Sequence, residues 1–315
     1  AAALADPRGF LDLNPPPVIF DEAQYAPDLF CYIKEKIDER RHDYGGYIIT
    51  GSQNLLLQEK VTESLAGRAA ILRLLPLSLG EIRGAPTLSF PWDTQDRPLP
   101  SSLDVRALWS SMLRGAYPEL TQSQEKDASL WHGSYIQTYL ERDVRTLRQV
   151  GDLTQFQLFL RAIAARSAQL FIASDVAKDI GVAVNTIRAW LAVLEATYQI
   201  VILRPYYSNV NKRLVKAPKV YFTDVGTLCY LTGLRDVEHL IAGPMSGAVF
   251  ETFVVSEIYK RFLNRGSEPT LYFWRTAAGT EVDILVEDQS MLHPIEVKST
   301  ATPLPSMASG IVSLR

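Results

Sequence analysis

Short apolar runs that end in polar residues mark two strands near the start of the chain. Val18–Phe20 is apolar throughout and Tyr47–Thr50 is a second such run, so both predict buried strands. The stretch 27–41 between them places apolar residues at near-helical spacing, and Gly45-Gly46 follows it, which predicts a helix. Strand, helix and strand over this distance predict a βαβ unit with a parallel sheet.

The pattern changes to a helical one in the middle of the chain. Residues 84–104 are rich in Pro, Ser and Asp and predict a loop, whereas 108–167 have helical spacing. A short helix capped by Ser174, a turn at Gly181-Val182 and a second helix capped by Asn185 predict a helix-turn-helix unit. Two apolar runs, 200–204 and 219–223, then predict strands that form a wing.

The end of the chain predicts one helix followed by three strands. Phe250, Val254 and Ile258 share one face of a helix over 247–263. Three strands are predicted after it, at 271–274, 281–286 and 294–298.

Composition narrows the class of protein without naming a function. The 315 residues allow two or three domains, and 47% hydrophobic with 21% charged residues are those of an ordinary folded protein. A net charge of -3 excludes a general attraction to nucleic acid, so a basic surface would be local. Cys31 and Cys229 fit reduced thiols in a cytoplasmic protein, and no apolar run is long enough for a transmembrane helix.

Asp21 and Glu22 stand directly after the first predicted strand. An apolar strand running into two carboxylates is typical of the Walker B motif of a P-loop ATPase, where the Asp holds magnesium and the Glu activates water. An acidic pair that caps the following helix is the alternative. None of the 18 glycines is followed by Lys, so the sequence contains no G-x-x-x-x-G-K-[ST] motif. We expect that motif to precede residue 1.

Two further residues fit an ATP site. Ser52 follows the second strand, where the sensor residue of such sites lies, and the ends of parallel strands form the ligand crevice. Arg68 follows Gly67 and is a candidate arginine finger, which would offset charge on the transferred phosphoryl group. A surface arginine after a glycine turn is an equally good interpretation of Arg68.

The final strands carry a second group of charged residues. Asp283 lies on one strand, while Glu296 and Lys298 share a face of the next because side chains alternate along a strand. Asp283 and Glu296 are candidate Mg²⁺ ligands, Glu251 on the preceding helix is an outer carboxylate, and Lys298 is placed to assist hydrolysis of a phosphodiester. An exposed charge ladder at a sheet edge is the alternative.

A basic strip interrupts the predicted wing. It combines Tyr206 and Tyr207 with cations and contains no acidic residue, which favours contact with phosphates, although a solvated wing explains it as well. The candidate nucleic-acid contacts in this strip are Lys212, Arg213, Lys216 and Lys219.

Several of these stretches, in this order, resemble one known family along nearly the whole chain. It is the family of bacterial and archaeal AAA+-type ATPases that carry a C-terminal domain of unknown function related to PD-(D/E)xK nucleases. The stretches that carry the resemblance are 18–24, 49–52, 64–68, 75–78, 139–144, 216–226, 250–251, 274–276, 281–283 and 295–299.

The resemblance implies an ATPase core, a winged-helix segment and a nuclease-like end. It implies magnesium and water-activating roles for Asp21 and Glu22, a sensor role for Ser52, and a metal site made by the residues Glu251, Asp283, Glu296 and Lys298. Two departures are expected to matter, since the P-loop segment is missing and the family continues past Arg315.

The sequence therefore predicts an α/β protein. Its parts are a partial parallel-sheet P-loop ATPase core (1–84), a linker and helical lid (85–168), a winged-helix-like region (169–235) and an α+β PD-(D/E)xK nuclease-like domain (236–315). We expect a homo-oligomer that uses ATP and Mg²⁺, acts on or regulates nucleic acid such as DNA, and does not bind membranes. The alternatives are a catalytically silent DNA- or protein-binding module and an ATP-controlled oligomeric switch.

Overall fold

Two units make up the chain, Ala1–Leu72 and Arg73–Arg315. The computed structural model describes residues 2–51, 63–84, 89–93, 104–140, 153–206, 217–276 and 279–314. Among the helices of these ranges, none combines the length and apolar character that crossing a bilayer requires. Cys31 and Cys229 are both free thiols.

The first unit contains the predicted βαβ arrangement. Strands β1 (Val18–Phe20) and β2 (Tyr47–Ile49) pair in parallel, with Ile19 opposite Ile48. Helix α3 (Leu29–Glu39) connects them, and it is shorter at both ends than the predicted 27–41. The described residues of this unit also form two short helices, α1 (Ala2–Ala5) and α2 (Pro7–Leu13), and a 3-10 turn at Ala23–Tyr25.

The helical periodicity of α3 has a direct structural cause. Leu29, Phe30 and Ile33 are buried on one side of the helix and join a small core with Phe20 of β1 and Leu65. Burial of this apolar stripe stabilises the helix against the strands, at about 25 cal/mol per Å² of apolar surface removed from water.

The second unit is mostly helical before its sheet. Trp190 lies at the centre of the main core, in edge-to-face contact with Phe156 at 5.4 Å between ring centroids. Short irregular turns occur at Ile136–Leu140, a π-helical turn, and at Pro305–Ala308, a 3-10 turn. The helices are α4 (Leu79–Ile82), α5 (Val105–Arg114), α6 (Pro118–Gln122), α7 (Ala128–Tyr135), α8 (Leu153–Ala164), α9 (Ala173–Ile180), α10 (Val184–Ala196), α11 (Val225–Thr232), α12 (Val237–Ala242), α13 (Ser246–Asn264) and α14 (Ser309–Leu314).

The predicted helix-turn-helix elements are present, but their caps are not the predicted ones. Helix α9 begins at Ala173 and α10 begins at Val184, so Ser174 and Asn185 both lie inside the first helical turn. Gly181 ends α9 in the left-handed conformation, with φ of 81°, which glycine adopts without steric cost. The turn made by Gly181 thus fixes where α10 begins, and side-chain capping does not.

A five-stranded mixed sheet forms the rest of the second unit. The strands are β3 (Ile200–Pro205), β4 (Lys219–Phe222), β5 (Leu271–Arg275), β6 (Glu281–Asp288) and β7 (Met291–Ile295), in the spatial order β4-β3-β5-β6-β7. Only β3 and β5 are parallel, and every other neighbouring pair is antiparallel.

The two strands that were predicted to form a wing belong to a larger sheet. β3 and β4 pair with each other as a wing would, but β3 also pairs with β5 through Arg204 and Pro205. These two strands are therefore part of the same sheet as the C-terminal strands. The sheet runs across the predicted division at residue 235.

The packing of α10 leads to a stability prediction. Trp190 is only 2% exposed and contacts two phenylalanine rings, so Trp190→Ala leaves a large cavity. We expect the free energy of unfolding to fall by about 3–5 kcal/mol, measured by chemical denaturation followed by circular dichroism. Arg188→Ala on the exposed face of the same helix is the control, with a change within about 0.5 kcal/mol. Equal effects of the two substitutions would contradict the central position of Trp190.

Candidate functional site

The first candidate site lies at the ends of β1 and β2. The Thr50 hydroxyl donates a hydrogen bond to Asp21 Oδ1, and the Thr50 N–H donates to the Phe20 carbonyl at 2.9 Å. The parallel pairing therefore brings a carboxylate and a hydroxyl together where a ligand crevice is expected. The predicted sensor residue, Ser52, lies outside the described residues.

Glu22 is held in an unusual backbone conformation beside Asp21. Its φ of 52° is left-handed, which is uncommon for a residue with a side chain. The Gln24 side-chain amide donates to Glu22 Oε2, and Glu22 makes no capping hydrogen bond to the 3-10 turn that follows. The carboxylate is thus oriented by Gln24, and the alternative that it caps the following helical turn is not what the structure has.

Arg68 is engaged within its own unit. Its Nε and Nη2 donate to the two carboxylate oxygens of Asp38 at 2.7 and 2.9 Å. This two-point hydrogen bonding to Arg68 lowers the pKa of Asp38 below its ordinary value. In this arrangement the guanidinium binds a carboxylate of helix α3. Its role as an arginine finger stays a prediction.

The second candidate site is a cluster of charged residues on the C-terminal sheet and helix α13. Strand β6 contributes Glu281 and Asp283, and α13 contributes Glu251. Edge strand β4 contributes Lys219 and Tyr221, two residues apart and therefore on the same face of the strand. Glu296 and Lys298 follow β7. We call these seven residues the carboxylate–lysine cluster.

Lys219 lies at the centre of the buried part of this cluster. Its ammonium group is 3.1 Å from Glu251 Oε1 and also forms an ion pair with Glu281, while only 5% of the side chain is exposed. Burial works against its charge, but Glu251 and Glu281 outweigh that effect and raise the pKa of Lys219 above its ordinary value. Lys219 is therefore a permanent cation that holds two carboxylates from different elements.

Tyr221 completes the environment of Glu251. Its hydroxyl donates to Glu251 Oε1 at 2.6 Å. Burial, and then the negative charge of Glu251, raise the pKa of Tyr221 well above its ordinary value. Burial likewise raises the pKa of Glu251, although Lys219 and Tyr221 oppose the shift. The hydroxyl thus remains a hydrogen-bond donor at neutral pH.

Asp283, Glu296 and Lys298 form the open part of the cluster. Lys298 Nζ lies 2.7 Å from Glu296 Oε1 and 3.3 Å from Asp283 Oδ2, with 42% of the Lys298 side chain exposed. Burial disfavours its charge, but the hydrogen bond to Glu296 and the charge of Asp283 raise the pKa of Lys298. The spacing of Glu296 and Lys298 does place them on the same side.

The strand that carries these residues is shorter than predicted. β7 ends at Ile295, whereas the predicted strand runs to Lys298. The Val297 N–H donates to Asp283 Oδ2 at 2.9 Å. Because the Val297 N–H bonds to a side chain and not to the backbone of β6, the backbone hydrogen bonds between β6 and β7 stop at Ile295. The segment that follows β7 nevertheless stays beside β6.

An open pocket of about 560 Å³ faces this part of the cluster. Asp283, Glu296 and Lys298 line it together with Ser309 and Gly310. Glu296 Oε2 is buried and has no hydrogen-bond partner. A buried carboxylate oxygen in that state favours a cation as its partner.

The predicted three-carboxylate metal site is not assembled in this way. In the described part of the chain, no group of three or more His, Cys, Asp or Glu side chains is arranged to hold a metal ion. Glu251 is paired with Lys219 and is not among the residues that line the pocket. Three carboxylates, Glu281, Asp283 and Glu296, line the pocket, and since Glu281 is paired with Lys219, the other two are the candidate ligands of a Mg²⁺ bound mainly through water.

Of the four predicted nucleic-acid contacts, the structure describes Lys219 alone. Lys212, Arg213 and Lys216 lie outside the described residues. Lys219 is buried and paired with two carboxylates, so it is not available to a phosphate backbone. The structure corrects its assignment from the strip to the carboxylate–lysine cluster.

Sequence reasoning missed Thr50, Tyr221 and Glu281 and gave Lys219 a different role. Thr50 gave no signal beyond its position at the end of a strand. Lys219, Tyr221 and Glu281 did give one, because a lysine inside an otherwise apolar strand needs a buried carboxylate partner, and Tyr221 shares its face.

Three family models match consecutive parts of the chain. An AAA domain matches residues 2–83, which include Asp21, Glu22 and Arg68. A domain of unknown function (DUF8612) matches 105–238, and another domain of unknown function (DUF4143) matches 246–315. None of the three descriptions names a nuclease or a nucleic acid.

Curated relatives match the whole chain. They include the uncharacterized protein Mb2031c of Mycobacterium bovis and the uncharacterized protein Rv2008c of Mycobacterium tuberculosis, each 32% identical over 321 residues. The match covers 100% of this chain and 66% of each relative, so the chain spans just under two thirds of their length. No solved structure gives a significant match.

These matches and the parallel β1–β2 pair support an AAA-type ATPase-like protein. More particularly, one chain matches the models of an AAA domain and of two domains of unknown function. The carboxylate–lysine cluster draws on both of these: Lys219 and Tyr221 lie within 105–238, and the carboxylates lie within 246–315. An AAA-type domain suggests the use of ATP and Mg²⁺.

The buried ion pairs lead to a second stability prediction. Lys219→Met leaves Glu251 and Glu281 without their shared cation, which we expect to cost about 3–5 kcal/mol of unfolding free energy at pH 7. The folded-state pKa of Glu251 is already raised, and it should rise further in the variant. The loss should therefore be largest at neutral pH and shrink as pH falls and the carboxylates take up protons.

Denaturation curves of Lys219→Met at pH 5 and pH 8 test this expectation. Lys126→Met removes a lysine from a surface ion pair with Glu119 and serves as the control, with a change below about 1 kcal/mol. A loss in Lys219→Met that does not depend on pH would indicate lost packing instead of unpaired charge.

Proposed function

We propose that this AAA-type ATPase-like chain carries a divalent-cation site that acts on phosphodiester bonds of nucleic acid. The observation that carries the proposal is the convergence of Asp283, Glu296 and Lys298 on one open pocket, with Glu296 Oε2 unpartnered. Two carboxylates and a lysine in this order also match the strand-Asp, strand-Glu-x-Lys pattern of PD-(D/E)xK nucleases, to which the sequence has a resemblance.

The roles of the residues follow from their chemistry. Asp283 and Glu296 would hold Mg²⁺, which prefers oxygen ligands and keeps several waters. A bound Mg²⁺ polarises a phosphodiester and acidifies a water molecule. Lys298, which already contacts both carboxylates, would stabilise the negative charge that develops on the phosphate.

Together with a P-loop, the first unit would supply the driving force. Asp21 would bind magnesium through water and Glu22 would orient the attacking water, with Thr50 holding Asp21 in place. Arg68 and Ser52 would keep the arginine-finger and sensor roles predicted from the sequence. ATP turnover would then drive rearrangements that present or regulate the nucleic-acid site.

A catalytically silent binding module is the second candidate. The observation in its favour is the pairing of every carboxylate in the cluster with a lysine, since neutralised carboxylates have less tendency to take up a metal ion. In this case the sheet would be a scaffold that binds without cutting.

Cleavage of DNA separates the two candidates. We expect the chain to cut plasmid or single-stranded DNA in Mg²⁺ or Mn²⁺, and Asp283→Asn and Lys298→Ala to lose at least about 100-fold in rate. Gel assays measure this loss. Glu238→Gln, which breaks a surface ion pair with Arg106, is the control and should cut normally. Absence of cutting with any divalent ion would favour the silent module.

Nucleotide binding tests the first unit. The sequence has no G-x-x-x-x-G-K-[ST] motif, and the backbone and lysine of that loop hold the β- and γ-phosphates in P-loop ATPases. We therefore expect this chain to bind ATP too weakly for isothermal calorimetry to detect. Tight binding that Asp21→Asn abolishes would show that other residues replace the loop.

A further inference from the structure

Two lysines of the carboxylate–lysine cluster differ in one physical respect. Lys219 and Lys298 each contact two carboxylates, but the exposed fraction of the side chain is 5% for Lys219 and 42% for Lys298. Moving Lys219 away would leave two buried charges unpaired, whereas Lys298 can swing into water at little cost. Burial therefore makes one lysine fixed and the other displaceable.

Lys298 occupies the position between Asp283 and Glu296, two of the three carboxylates that line the pocket. Its ammonium group is 2.7 Å from Glu296 Oε1 and 3.3 Å from Asp283 Oδ2. A divalent cation bound by these oxygens would lie in the same place, and two cations do not share it because their repulsion is strong at such distances. Glu296 Oε2 is buried without a hydrogen-bond partner, so this carboxylate keeps an unsatisfied negative oxygen that a nearby cation would stabilise.

We propose that Lys298 is a built-in competitor of the divalent cation, which has to swing out of the Asp283–Glu296 pair before the cation can bind. This inference rests on the proposed function, because it concerns the same pocket. According to this inference, Lys298 weakens binding of the divalent cation, whereas in the proposed function it increases the rate of hydrolysis. Lys219, in contrast, stays paired with Glu251 and Glu281 throughout, so that only Asp283 and Glu296 exchange their cation.

Calorimetric titration of the whole chain with MnCl2 or MgCl2 tests the proposal. Removing Lys298 should tighten binding of the divalent cation, and we expect about a tenfold lower dissociation constant in Lys298→Ala. Lys298→Gln, a neutral side chain of similar length, guards against a folding defect and should behave alike. Lys298→Arg keeps the charge and should not tighten binding. Glu296→Gln in the Lys298→Ala background should abolish the gain.

Lys126→Ala is the matched control, since Lys126 also pairs with a carboxylate and has 41% of its side chain exposed. Its cation affinity should equal that of the unchanged chain. Unchanged or weaker cation binding in both Lys298→Ala and Lys298→Gln would overturn the proposal, as would a gain that Glu296→Gln does not remove.

Chemical labelling provides a second measurement in the unchanged chain. Mn²⁺ should increase the reaction of Lys298 with an amine-reactive ester several-fold, read by mass spectrometry, while Lys219 stays unlabelled. Labelling of Lys298 that falls when Mn²⁺ is added would overturn the proposal. The two hypotheses fail separately. If Lys298→Ala binds the divalent cation more tightly but the unchanged chain cuts no DNA, the nuclease role alone is refuted. If the unchanged chain cuts DNA but Lys298→Ala binds the cation more weakly, the competition alone is refuted.

Discussion

The buried ammonium group of Lys219 is the interaction on which the second unit depends. It joins strand β4 to helix α13 through Glu251 and to strand β6 through Glu281, and it lies 5.6 Å from the centre of the Phe273 ring on β5. An unpaired charge in such a place would be costly, so these elements are held in one arrangement by the need to keep it paired. Because β4 and β6 belong to different family matches, the same interaction ties the two domains of unknown function into one sheet.

Local structure followed from the sequence wherever a regular pattern had a single buried face. The strand at Val18–Phe20 and its parallel partner were predicted, but as buried strands, whereas Ile19 and Ile48 are more than half exposed. The long helix α13 differs from its prediction by one residue at each end. Pairing between distant segments could not be predicted in the same way. The ion pair between Lys219 and Glu281 joins residues on strands that are not neighbours, and no short-range pattern encodes it. The parallel contact of β3 with β5, which makes a sheet out of a predicted wing, has the same origin.

The candidate sites show the same division between local and distant information. Glu296 and Lys298 could be placed side by side because alternation along an extended chain is a local rule. The pairing of Glu251 with Lys219 depended on tertiary contacts, so the sequence alone did not indicate it, and the role of Glu251 as an outer carboxylate stays a prediction. At the first site, the parallel register brought Thr50 to Asp21, which the type of residue alone did not indicate.

Charge balance decides what can approach the pocket. Glu251, Glu281, Asp283 and Glu296 are opposed by Lys219, Lys298 and Arg275, so the carboxylates exceed the cations by one. A phosphate group that enters such a site meets net negative charge, and the nearest cation is already shared between two carboxylates. The phosphate would therefore be repelled unless a further positive charge arrives with it or before it. A divalent cation supplies that charge, and by displacing Lys298 toward the pocket opening it would also free the ammonium group to face the phosphate. Cation binding and phosphate binding would then be linked in that order, because the first creates the positive charge that the second requires.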